Sequence, residues 1–235
     1  MATVDIVLPG YPLRTARGSI GYSSCTLVST DEGAKVLVDC ASYADRVQLF
    51  EALQRRGLRP DDIHILILTH LHFDHCINAR FFTSARVLVS KAEYEFADWA
   101  VRQTPYGDPY VIDDPDGLLN RLKAETVDAE ISLAPDLRLL FTPGHTPGTM
   151  SAIAETPTGR VAIASDAAKS ISELITGQVY PSAVCDQEQA SRSIDRLLAS
   201  VDAIIPGHDR QVRVVEGRPR LDDVRNRPAL TLHIY

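Results

Sequence analysis

The stretch Thr69-His70-Leu71-His72-Phe73-Asp74-His75 decides how the rest of the chain is read. Four potential metal ligands, His70, His72, Asp74 and His75, fall within six positions. They follow directly on residues 63–68, a nearly continuous apolar run of the kind expected for a strand buried on both faces. The strand end fixes the first histidine, and the loop beyond it can turn the next three ligands towards a common point. His70 and His72, one residue apart, can share one ion, while Asp74 and His75 point elsewhere and can hold a second. A polar loop after a strand is the bland alternative, and so many metal-binding side chains in so short a run weigh against it.

Of the seven histidines in the chain, two more stand in matched contexts, Pro143-Gly144-His145 and Pro206-Gly207-His208. Each follows an apolar strand, and each Gly is expected to let the backbone pass close to a ligand sphere. Asp166 ends the strand expected at 161–165, where its carboxylate can reach the same end of a sheet; helix capping is its ordinary alternative. His64, inside a strand, and His233, near the C-terminus, lack ligand spacing and are read as structural. The expected ligand set is His70, His72, Asp74, His75, His145, Asp166 and His208.

The remaining pattern alternates short β runs with amphipathic helices. Strands are expected at 4–8, 23–29, 35–39, 86–90, 138–142, 150–154, 160–165, 203–206 and 211–215. A helix is expected over 43–56, with Ser42 as its N-cap, Val47, Phe50 and Leu53 on one face and Gly57 after its last turn. Two further helices are expected at 91–102 and 187–200, the second capped by Asp186. Residues 103–120, rich in proline, glycine and aspartate, read as a loop or lid between the halves.

The chain has 235 residues, 45% of them hydrophobic and 23% charged, and a formal net charge of −7. This composition excludes disorder, collagen and coiled coil, and it suits a single domain spanning 1–235. No apolar run is long enough for a membrane span, and no signal peptide is expected. The acidic balance argues against nucleic acid as a partner and leaves a small molecule as the expected one. Four scattered cysteines without C-x-x-C spacing suggest free thiols and a cytoplasmic setting. Cys76 is read as a small buried residue, and Trp99 as core or pocket wall. Nothing in the residue pattern specifies an oligomeric state.

The run His-x-His-x-Asp-His at 70–75, followed in order by His145, Asp166 and His208, resembles the metallo-β-lactamase-fold hydrolases. Asp39, in Val-Leu-Val-Asp, resembles the early aspartate of that fold. The resemblance covers roughly residues 20–210. It implies a four-layer αββα sandwich with the site at one edge of two facing sheets. It also implies a dinuclear centre: His70, His72 and His145 for the first metal, Asp74, His75 and His208 for the second, and Asp166 bridging. Zinc is the default for such ligands, with iron, manganese or cobalt as alternatives. In that reading two metals supply a hydroxide near neutral pH and stabilise an oxyanion, Asp74 passes a proton to the leaving group, and Asp39 orients a ligand.

Within the superfamily, His-Leu-His-Phe-Asp-His, Glu93-Tyr94-Glu95 and Thr-Pro-Gly-His-Thr-Pro-Gly at 142–148 look most like the acyl-homoserine-lactone lactonases. The implied reaction is opening of a small cyclic ester. One departure matters: Lys169 stands where that branch often has a substrate-orienting tyrosine. Tyr180, Tyr106 or Tyr110 is a candidate substitute, Phe73 a candidate pocket wall, and Lys169 itself a candidate contact for an anionic group. Two other readings stay open. One is hydrolysis of a phosphodiester or thioester at the same site, and the other is a non-catalytic metal-binding protein.

Overall fold

Alternate residues of the central strands face different neighbours, and that alternation builds the layers. A computed structural model describes residues 1–15, 18–19, 22–103, 106–180 and 184–221; His233 lies outside the described residues. In chain order the elements begin with β1 (Thr3–Leu8), the two-stranded ribbon β2 (Arg14–Thr15) and β3 (Gly18–Ser19), β4 (Cys25–Ser29) and β5 (Lys35–Val38). Next come α1 (Arg46–Gln54), β6 (Ile65–Ile67), α2 (Phe73–Cys76), β7 (Arg86–Ser90), α3 (Lys91–Arg102), α4 (Pro115–Leu122) and β8 (Glu125–Val127). The second half contains β9 (Ile131–Ala134), β10 (Leu137–Phe141), β11 (Met150–Thr156), β12 (Gly159–Ser165), α5 (Ile171–Thr176) and α6 (Gln187–Leu198). It closes with β13 (Ala203–Pro206), β14 (Val212–Val215) and β15 (Arg218–Arg220).

The first sheet has the order β1-β4-β5-β6-β7-β8 and the second β15-β14-β13-β12-β11-β10-β9. In the first, Leu37, Leu66, Val87 and Val89 point outwards and share a core with Leu49 and Leu53 of α1, Phe96 of α3 and Leu119 of α4. Their sequence neighbours Val36, Val38, Ile67 and Leu88 point inwards, onto Leu139, Ala152, Ile163 and Ile205 of the second sheet. The outer face of that sheet buries Ile153, Ala162 and Ile204 against Leu174 of α5 and Ile194 and Leu197 of α6. Each fully buried Leu or Ile is worth about 1.5–3 kcal/mol, so these three cores are the main favourable contribution to the fold. The result is the expected α/β architecture, an αββα sandwich.

Three local differences have clear causes. α1 begins only at Arg46: the Ser42 hydroxyl donates to Asp45 Oδ2 at 2.7 Å instead of capping the helix. Its buried face is Leu49, Ala52 and Leu53, and Val47 is 63% exposed, so Val47 is not on the core face. The end of the stretch read as a loop is helical: Pro115 opens α4, and Asp114 accepts the Gly117 N–H at 2.8 Å. β8 and β9 are short and half-exposed and lack a clear period-two pattern, and neither was expected.

Strand direction gathers the site. β12 and β13 run parallel, and β10 returns to the same direction through β11, so residues after β10, β12 and β13 emerge at one edge. β6 of the other sheet delivers its loop to that edge, where the Met150 N–H donates to Thr69 O at 3.0 Å across the sandwich.

Candidate metal centre

All seven side chains expected as ligands converge, and all are buried. They fall into two groups, His70, His72, His145 and Asp166, and Asp74, His75 and His208, with one ligand atom from each residue of a group within 4.8 Å of the others. In the first, His72 Nδ1 and His145 Nε2 lie 3.0 Å apart; in the second, His75 Nε2 and His208 Nε2 lie 3.4 Å apart. Asp166 stands between the groups and divides its oxygens. Oδ2 is 3.2 Å from His145 Nε2, and Oδ1 is 3.3 Å from both His75 Nε2 and His208 Nε2.

The outward ring nitrogens are tied to protein, which fixes how the inward ones point. His70 Nδ1 lies 3.1 Å from Thr69 Oγ1, His72 Nε2 3.1 Å from Asp108 Oδ2, His75 Nδ1 2.8 Å from Asp39 Oδ2 and His208 Nδ1 3.1 Å from Tyr22 O. Asp39 is itself braced by the Thr69 N–H at 2.9 Å and the Ser165 hydroxyl at 2.7 Å. Both Asp39 and Ser165 adopt left-handed backbone, φ 59° and 49°, a conformation of the kind that collects at functional sites. By contrast His70 Nε2 and Asp166 Oδ1 are buried with no hydrogen-bond partner, a costly state for polar atoms unless a cation completes it. The donor set and its orphaned atoms fit divalent metal ions.

The electrostatics differ from one imidazole to the next. Burial holds the His70 and His145 imidazoles well below their usual range, so they stay neutral and able to ligate. Burial opposes the charge on Asp166, but His208, Lys169 and His75 outweigh it and hold the carboxyl well below the ordinary carboxylate range. For His75 the carboxylates of Asp166 and Asp39 overcome the burial penalty and raise the imidazole.

The two glycines differ in role. Gly207 packs against Asp166, as expected of a close approach to the ligands, whereas Gly144, at φ 138°, packs against Ala190 of α6 and not against the ligand sphere. Cys76 is fully buried and its thiol is pushed well up, in keeping with a packing role. Trp99 is 51% exposed beside Phe96, so it is not a core residue.

The metallo-beta-lactamase superfamily matches residues 18–208. The chain belongs to that superfamily. An N-acyl homoserine lactonase from Bacillus cereus is 30% identical over 79% of this chain and 80% of its own length. Metallo-beta-lactamase domain-containing protein 1 from Xenopus laevis is 27% identical over 91% of this chain and 82% of its own length. Among solved structures, an N-acyl homoserine lactone hydrolase carries the product N-hexanoyl-L-homoserine at its catalytic metal center. It superposes with TM-score 0.63 and 27% identity, covering 79% of this chain and 80% of that one.

As a metallo-beta-lactamase superfamily member, the chain surrounds the seven residues with its own features. Lys169 Nζ lies 3.2 Å from Asp166 Oδ2, and the site's carboxylates, Asp166 foremost, raise the ammonium despite its burial. A cleft of about 550 Å³ opens beside it, lined by Leu13, Glu173, Val179, Tyr180 and His208. Tyr180 therefore borders the site, while Tyr106 is 91% exposed and contributes no wall. Tyr110 stands 5.7 Å from the His72 ring and stacks on Phe73 at 6.4 Å, and Phe73 lines a separate cleft with Tyr43 and Arg80. Part of the stretch read as a lid is pinned to the ligand loop: the Phe73 N–H donates to Tyr110 O at 2.8 Å, and His72 bridges to Val111. Residues 104–105 of that stretch lie outside the described residues. Asp108, which holds His72, escaped sequence reasoning because an aspartate among several in an irregular segment has no distinguishing spacing. No described helix is long and apolar enough to cross a membrane.

Proposed function

We propose that the chain opens a small cyclic ester, a lactone, at two divalent metal ions. His70, His72 and His145 hold one, Asp74, His75 and His208 hold the other, and Asp166 lies between them. The observation that carries this reading is the division of Asp166, one oxygen towards each group. The lactonase similarity at 30% identity supports the choice of lactones. The His and carboxylate donors suit zinc, and iron, manganese or cobalt fit the same donors.

When bound, such a pair polarises a carbonyl and lowers the pKa of water until a nucleophile is available near neutral pH. Asp39, Thr69, Asp108 and the Tyr22 carbonyl keep the imidazoles aimed inwards, so no reorganisation is required during turnover. Asp74 Oδ2, 3.5 Å from His208 Nε2, is placed to hold a proton and return it to the departing ring oxygen. The cleft beside Tyr180 and Val179 gives an acyl chain or ring an apolar wall.

A second reading is favoured by Lys169, whose ammonium stands at the edge of the same cleft: a substrate carrying a carboxylate or phosphate. A panel of neutral lactones, carboxylated lactones, thioesters and phosphodiesters tests both. Turnover of lactones above the other classes is expected. Phosphodiester turnover without lactone turnover would overturn the proposal, and a metal-loaded protein inert on the whole panel would favour a non-catalytic metal-binding role.

A further inference from the structure

Glu93, in the first turn of α3, is a buried acid that the chemistry above does not use. Its Oε1 accepts the Leu71 N–H at 2.9 Å, the residue between His70 and His72. Its Oε2 accepts the Thr146 hydroxyl at 2.5 Å, the residue after His145. One carboxylate thus joins a loop of the first sheet to a loop of the second, and these two loops supply all three histidines of the first group. The rest of the helix start is fitted to the same loop. The Ser90 hydroxyl donates to Gly148 O at 2.6 Å, and a side-chain carbon on Gly148 would lie 2.0 Å from the Glu93 nitrogen. The side chain of Glu93 thus bonds Leu71, which lies between His70 and His72, and Thr146, which follows His145.

A carboxylate buried this deeply is stable only where its donors stay in place, which makes it a stiff connector rather than a tolerant one. We propose that Glu93 is a positioning residue that sets the spacing of His70, His72 and His145 by clamping their two loops, and so governs the affinity of one metal of the pair and not of the other. The inference rests on reading the seven side chains as metal ligands, as proposed above.

The test is a titration of metal-free protein with Zn2+ against a chromophoric chelator, with His145→Ala and His208→Ala used to assign the two binding steps. Glu93→Leu keeps the bulk and removes the acceptors; the step assigned to His145 should weaken by about tenfold or more, and the step assigned to His208 should not move. Glu93→Gln, which can accept from Leu71 and donate to Thr146, should restore wild-type binding. Thr146→Val breaks only the second contact and should shift the same step by a smaller factor, so it decides the matter if Glu93→Leu does not fold. Equal weakening of both steps, or no weakening in either variant, would overturn the role of Glu93. A wild-type protein that binds one metal only would instead overturn the two-metal reading, and the clamp with it.

Discussion

Gly207 and Asp166 occupy nearly the same space: a Cβ on Gly207 would lie 1.9 Å from Asp166 Oδ1. Gly207 also donates its N–H to Ser165 O at 2.8 Å, so the chain leaving β13 is locked against the end of β12. No other residue type leaves room for both the backbone and the central carboxylate.

Gly207→Ala should therefore displace Asp166. We expect metal content and activity to fall by about 10–100-fold, as for loss of a supporting contact at a metal site. Thermal melting should show a destabilisation of about 1–3 kcal/mol from overpacking. Unchanged metal content in a folded variant would contradict the placement.

Asp166→Asn removes one charge while keeping the volume. Elemental analysis should show stoichiometry falling from two ions towards one, with activity lost in parallel. Full metal content and wild-type turnover would make Asp166 a structural residue only.

Lys169→Ala removes a cation and none of the seven side chains proposed as ligands. The Michaelis constant for carboxylated or phosphorylated substrates should rise, and that for neutral lactones should stay near wild type. Equal losses on every substrate would mean that Lys169 acts through Asp166, its partner at 3.2 Å, and not on the substrate.

Removal of metal by a chelator should abolish activity and leave a folded protein with a lower melting temperature. A ligand at ~100 times its Kd stabilises by about 2.7 kcal/mol. For a chain of this size each kcal/mol moves the midpoint by about 2–4 °C. Circular dichroism before and after chelation checks both halves of the expectation, and unfolding on chelation would show that the three cores do not suffice.

Much of this arrangement was legible in the chain itself. The ligand run at 70–75 and the two Pro-Gly-His segments are local patterns, and α3 and β7 coincide with the expected segments because their period and flanking residues agree. What escaped was long-range. Asp108 bonds a residue 36 positions away and Glu93 residues 22 and 53 positions away, and no periodicity reports such contacts. Val47 misled because α1 has little amphipathic contrast, so its buried face is set by what the first sheet presents. Tyr106 was a candidate because it lies in the stretch read as a lid, and a position in an irregular stretch does not encode which way a side chain faces.

The distribution of the ligands over both sheets also has a consequence in time. His75 and His208 stand 133 residues apart in sequence, and their ring nitrogens finish 3.4 Å apart. A nascent chain carrying only the first sheet holds His70, His72, Asp74 and His75 but half of a binding site. The second half must be made, fold and dock before the remaining donors arrive, and closing so long a loop is slow. If the seven residues bind metal as proposed, tight capture is the last event of maturation, and synthesis under metal starvation should leave folded, empty protein that is competent to load later.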